Sequence, residues 1–272
     1  MKTRILTAAV LVPILLILVL AAPKWITAVI FAAMMAIASY ELLYCTGLLR
    51  HTRLVIYSSV CAFAITLWSF FGAVHAVGML ILVAFCMAMF AEIMADHVKV
   101  RFEKIMICLM AGAVIPYLLS SLIRIHTLKL GRYMIMIPFV VAFLSDAGAY
   151  FVGIKFGRRK LAPVISPNKT VEGVIGGLAT SMLGMLIYGA VLQFGFKFHV
   201  NYGLAVLYSL AGTAIDVFGE LCFSAIKRQT GIKDYGNLMP GHGGVLDRFD
   251  SMVFVGPLME ALITLLPMAV AV

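Results

Sequence analysis

Apolar residues arrive in long blocks separated by short polar intervals. A helix rising about 1.5 Å per residue needs roughly 20 apolar residues to cross a hydrocarbon core of about 30 Å. Blocks near that length lie at 5–22, 25–45, 54–71, 74–94, 104–123, 133–154, 171–195, 202–223 and 251–271. They predict an all-α polytopic membrane protein with about nine transmembrane helices. Pro23-Lys24 and Gly72-Ala73 are the whole of two breaks, so the helices on either side are expected to form antiparallel hairpins.

The positions of the charges orient these spans. With the N-terminus in the cytosol, the outer segments keep only Lys24, Arg124, Lys129, Arg132 and Lys197 of the 21 basic residues, as the positive-inside rule requires. This topology places loops 155–170 and 224–250 in the cytosol and the C-terminus outside. Segment 124–132, with three basic residues on the outer side, runs against the rule. Residues Met1–Arg4 and the apolar run after them resemble a signal peptide. That run is long for one, and Leu20-Ala21-Ala22 is a poor cleavage site, so a retained first helix is expected.

Composition narrows the class. Hydrophobic residues make up 63% of the 272 and charged ones 12%, and the mean hydropathy is +1.08, which leaves no segment for a soluble domain. The net charge of +9 collects in short loops, which points to anionic lipid on the cytosolic side and not to nucleic acid. Cys45, Cys61, Cys86, Cys108 and Cys222 are scattered through apolar spans without metal-ligand spacing and read as packing residues. No repeat or linker divides the chain. The expected organisation is a scaffold over 1–132 and a site-bearing half over 133–272. No clear GxxxG face decides whether a homodimer forms.

Ionisable groups inside spans are costly and are functional candidates by default. Glu41 and Glu92 fall near predicted cytosolic helix ends and are expected to be solvated there. Glu260 lies deeper in the last span. In the sixth span Asp146 and Tyr150 are four apart, with Gly153 on the same face. In the eighth, Asp216, Glu220, Ser224 and Lys227 fall within about 80° of one another on a helical wheel.

The two cytosolic loops add phosphate chemistry. Ser166, Lys169, Thr170 and Glu172 lead into the seventh span, with Thr170 as its expected N-cap. Arg158, Arg159 and Lys160 read as a basic loop meeting lipid headgroups. In 224–250, Gly241, Gly243 and Gly244 surround His242, where amides without side chains could approach a phosphate. Asp247, Asp250 and Glu220 are hard oxygen donors suited to Mg²⁺. Lys227, Arg228, Lys233 and Arg248 could offset charge on a phosphoryl group. Together these features suggest metal-assisted phosphoryl or nucleotidyl transfer to a lipid.

The run SAIKRQTGIKDYGNLMPGHGGVLDRFD resembles the signature of the phosphatidate cytidylyltransferase (CDP-diacylglycerol synthase) family. It matches at Ser224, Lys227, Arg228, Lys233, Asp234, Pro240 to Gly244, Asp247, Arg248 and Asp250. The stretch from Ser145-Asp146 to Glu172-Gly173 is similar to that family as well. Glu220 stands where the family usually carries Asp, which keeps the charge and extends it by one methylene.

The resemblance implies that CTP and phosphatidate give CDP-diacylglycerol and pyrophosphate, with Mg²⁺ and room for a monovalent cation such as K⁺. It implies Glu220, Asp247 and Asp216 as metal ligands. Lys227, Arg228, Lys233, Asp234, His242, Arg248 and Asp250 would be the catalytic set. Asp146, Tyr150, Ser166, Lys169, Thr170, Glu172, Ser224, Gly241, Gly243 and Gly244 would contact substrate. The enzyme would lie in a bacterial-type plasma membrane with its site facing the cytosol. A CTP-dependent polyprenol kinase and an ion-coupled transporter are the alternatives, although the paired, symmetric halves a transporter predicts are not found.

Overall fold

A computed structural model of the chain describes residues 10, 13–72, 75–239, 241 and 243–271. It is mostly helical, and seven helices are long and apolar enough to cross a membrane: Lys24–Cys45, Thr52–Phe71, Ala76–Ala95, Phe102–Thr127, Gly131–Phe156, Val171–Gly195 and Tyr202–Gln229. Of the expected first span, 5–22, residues 5–9, 11 and 12 lie outside the described residues, and 13–20 are helical. The chain divides into two compact units, Met1–Thr127 with Gln229–Phe249, and Leu128–Arg228 with Asp250–Val272.

In the first unit, helix α1 (Lys24–Tyr40) widens into a π-helical turn, Glu41–Cys45. Gly47, at a left-handed φ of 74°, stops it, and Leu49 N–H reaches back to the Leu43 carbonyl at 2.9 Å. Helix α2 (Thr52–Phe71) packs on α1 and ends at Gly72, φ 51°. After α3 (His75–Ala95), the span Phe102–Thr127 is built in pieces around a second π turn, Met110–Val114. Pro116 follows that turn and has no N–H to continue the regular ladder. Arg124, expected in a loop, lies in a helix. Its guanidinium donates to Ser120 Oγ at 2.7 Å and to the Tyr117 carbonyl at 3.2 Å, and it stacks over the Tyr117 ring.

The second unit is organised by a close helix pair, α4 (Met136–Phe156) and α5 (Val171–Ala190). Glycines let the backbones meet. A Cβ on Gly177 would stand 2.6 Å from the Ser145 carbonyl oxygen, and one on Gly173 would stand 2.9 Å from that of Ala149. The Gly173 to Gly177 spacing was available in the sequence as a sign of this seam.

Two short antiparallel strand pairs, the first a hairpin, depart from a purely helical architecture. Strand β1 (Lys160–Ala162) pairs antiparallel with β2 (Ser166–Thr170), and β3 (Phe198–Val200) pairs antiparallel with β4 (Ala269–Ala271). The expected last span, 251–271, is not one continuous helix. Helix α7 (Met252–Leu265) has 14 residues, about 21 Å at helical rise, and extended chain completes the run to β4. It lies antiparallel to α6 (Tyr202–Gln229). A Cβ on Gly219 would approach Ser251 and one on Gly212 would approach Met259, while Tyr208 OH donates to the Leu266 carbonyl at 2.8 Å. The β3–β4 pairing therefore places the end of α7 where α5 hands over to α6.

Candidate active site

In the second unit the polar stripe of α6 meets the β1–β2 hairpin. Asp216 is fully buried, and neither carboxylate oxygen has a partner of hydrogen-bonding geometry among the described residues, although the Ser145 and Ser251 hydroxyls are close by. One turn further on, Glu220 forms an ion pair with Lys169 of β2. Burial pulls the Lys169 ammonium below its ordinary pKa, against the carboxylates of Asp146, Asp216 and Asp250, which favour the charged form. Lys227 Nζ stands 3.7 Å from Asp250 Oδ2. Arg228 Nε donates to the Ile165 carbonyl at 3.3 Å and ties the end of α6 to the hairpin. The structure thus gathers Asp146, Asp216, Glu220 and Asp250 around Lys169.

The rest of the predicted substrate loop mostly serves the backbone. Thr170 Oγ1 accepts the Gly173 N–H at 3.1 Å, the expected N-cap. Glu172, expected to contact substrate, takes the N–H groups of Arg158 at 3.0 Å and Arg159 at 3.1 Å on Oε2, fixing the entry to the hairpin. Ser166 lies opposite Ala162 in β2. Tyr150 is exposed with its ring against Phe151, and Ser224 is half-buried on α6.

The glycine-rich loop belongs to the first unit. Asp247 Oδ2 accepts the N–H groups of Tyr235 at 2.7 Å and Gly244 at 2.9 Å. The Gly244 amide, expected to face a phosphate, is therefore committed to Asp247. Gly241 (φ 75°) and Gly243 (φ 82°) are left-handed, a conformation other residues rarely adopt. Lys233, Asp234 and Arg248 are exposed on this loop. His242 and Pro240 lie outside the described residues.

Glu41 is where sequence reasoning missed a functional candidate. It is 3% exposed, not a solvated helix end, and its two oxygens accept the N–H groups of Val245 at 3.0 Å and Leu246 at 2.9 Å. No local motif could have linked residues some 200 positions apart.

The donors of the second unit suit a hard divalent cation. Asp216 offers two unpartnered buried oxygens beside Glu220, Asp250 and Asp146, and Mg²⁺ prefers carboxylates supplemented by substrate phosphates. Among the described residues no three His, Cys, Asp or Glu side chains already form a ligand set, and the Lys169 ammonium stands among these carboxylates.

Comparison with known proteins fits this chemistry. The chain is similar to the phosphatidate cytidylyltransferase of Staphylococcus haemolyticus, 46% identical over 133 residues that cover 49% of this chain and 50% of the relative. The enzymes of that name from Staphylococcus aureus and Staphylococcus epidermidis are 40% identical over 156 residues, covering 57% of this chain and 58% of each relative. The chain therefore spans about half the length of the curated relatives it matches. A profile of the cytidylyltransferase family matches residues 2–266, nearly the whole sequence. With that extent of match, the chain belongs to the cytidylyltransferase family.

Proposed function

We propose that the protein is an integral-membrane phosphatidate cytidylyltransferase, converting CTP and phosphatidate to CDP-diacylglycerol and pyrophosphate. The observation that carries this reading is the cluster on α6 and the β1–β2 hairpin, in which Asp146, Asp216, Glu220 and Asp250 surround Lys169. The name shared by the staphylococcal relatives supports it.

In this reading a phosphatidate oxygen, anionic near neutral pH, attacks the α-phosphorus of CTP in line. The new P–O bond forms as the bond to the β-phosphate bridging oxygen breaks, and pyrophosphate leaves. No general base or covalent intermediate is needed, so the protein's work is positioning and charge stabilisation. Lys227 and Arg228 close the α6 end of the cluster and bind phosphate oxygens. Asp250 orients Lys227, and Asp146 holds the charge of Lys169. Lys233 and Arg248 are the exposed cations that the glycine-rich loop offers a triphosphate, with Asp234 beside them. Mg²⁺, held by Asp216 and Glu220, would draw negative charge from the phosphates. Asp247 is read from its hydrogen bonds as the anchor of its loop.

The topology proposed with this function has the N-terminus, the β1–β2 hairpin and the 229–250 loop on the cytosolic face of a bacterial-type plasma membrane, where CTP is available. The C-terminus lies on the other face.

Incubating the purified protein with α-labelled CTP, phosphatidate and Mg²⁺ tests the function. One pyrophosphate should appear for each labelled nucleotide entering lipid. Absence of labelled lipid across a range of Mg²⁺, or release of CDP in place of pyrophosphate, would overturn the reading.

A further inference from the structure

Among the described residues the first unit buries two carboxylates, Asp247 and Glu41, and the mechanism above does not use Glu41. Burying an ionised carboxylate is costly unless its oxygens meet donors. In Glu41 both do. Oε1 takes the Val245 N–H and Oε2 the Leu246 N–H, two successive amides at the end of the glycine-rich loop.

The loop is shaped around this carboxylate. A Cβ on Gly236 or on Gly244 would collide with the Glu41 side chain, so both positions are kept clear for it. Two residues on from Asp247, Phe249 sets its ring edge-on against Phe31 of α1 at 6.1 Å, which holds the same segment to the same helix. Glu41 also opens the π-helical turn Glu41–Cys45, and such single wide turns are often found at functional positions.

We propose that Glu41 is a positioning residue for the reaction. From the turn that follows α1 it fixes the backbone at Gly236 and at 244–246, so that Lys233, Asp234 and Arg248 are presented to the nucleotide in one arrangement. Asp247 organises the loop from within, through Tyr235 and Gly244, and Glu41 fastens it from outside to a helix about 200 residues away in sequence. The nucleotide part of this inference rests on the cytidylyltransferase reading. The contact itself does not.

The test uses the full chain in lipid nanodiscs with Glu41→Gln, which keeps the side-chain volume but replaces one acceptor oxygen by an NH₂ facing an N–H. Losing a hydrogen bond to a charged group should speed amide exchange at Val245 and Leu246 by about 10-fold or more, with exchange in α2 and α5 unchanged. The KM for CTP should rise by about 10-fold, while that for phosphatidate stays within about twofold. Glu41→Ala should exceed Glu41→Gln in both effects. Unchanged exchange in Glu41→Gln overturns the inference. Faster exchange with both KM values and kcat at the wild-type level overturns the positioning role. If the wild-type protein transfers no label, the functional reading fails, and the exchange measurement still decides whether Glu41 holds the loop.

Discussion

Lys169 reaches from the β1–β2 hairpin to pair its ammonium with the Glu220 carboxylate on α6. Removing one partner of a buried pair strands the other, a loss of about 3–5 kcal/mol for fully buried pairs and less here, where about a quarter of each side chain is exposed. Glu220→Gln, which strands the buried ammonium, should therefore lower the unfolding temperature in detergent. Mg²⁺ should raise that temperature more in Lys169→Gln than in the wild type, because the ammonium no longer competes for the carboxylates. An equal Mg²⁺ effect in both would remove Asp216 and Glu220 from the metal reading.

The same lysine gives a pH dependence of defined sign. Burial lowers its folded pKa, so between that value and the ordinary 10.5 the unfolded chain binds more protons than the folded one. The penalty for burying the ammonium is fully present below the folded pKa and fades as pH rises toward 10.5. Thermal unfolding across the alkaline range should show this gain in the wild type relative to Lys169→Gln. A steeper alkaline loss in the wild type would contradict it.

Asp247 separates anchoring from charge. Asn keeps one oxygen for the Tyr235 and Gly244 amides, so Asp247→Asn should retain the loop and lose about 10-fold in turnover. Asp247→Ala frees two buried amides and should lose about 10²-fold or more. Limited proteolysis within 229–245 reports the loop in each variant. Background activity in Asp247→Asn with an intact loop would return Asp247 to a role in metal binding.

Gly177 tests the α4–α5 seam. Leucine there would push against the Ser145 carbonyl, and overpacking of this kind costs about 1–3 kcal/mol. Because Ser145 adjoins Asp146, Gly177→Leu should lower both folded yield and turnover per folded molecule. Wild-type values for both would show that the two helices can part without consequence.

Thr170→Ala removes the cap of α5 and should destabilise by about 1 kcal/mol, with Thr170→Ser close to wild type. Equal unfolding temperatures for the Ala and Ser variants would show that the cap contributes nothing.

Features that depend on neighbours along the chain were legible in the residues alone. Apolar run length gave the span Val171–Gly195 with the bounds observed, and a Thr before such a run gave its cap. The polar face shared by Asp216 and Glu220 followed from helical period alone. Contacts between distant segments came from the folded arrangement. It joined Glu41 to Val245 and Leu246, turned Asp247 and Glu172 toward backbone amides, and shortened the last helix so that extended chain could pair with β3. The physical reason is one of range. Hydropathy and capping act over a few residues, whereas a buried carboxylate takes its role from whichever donors the folded chain brings within about 3 Å, and those donors leave no mark beside it in the sequence.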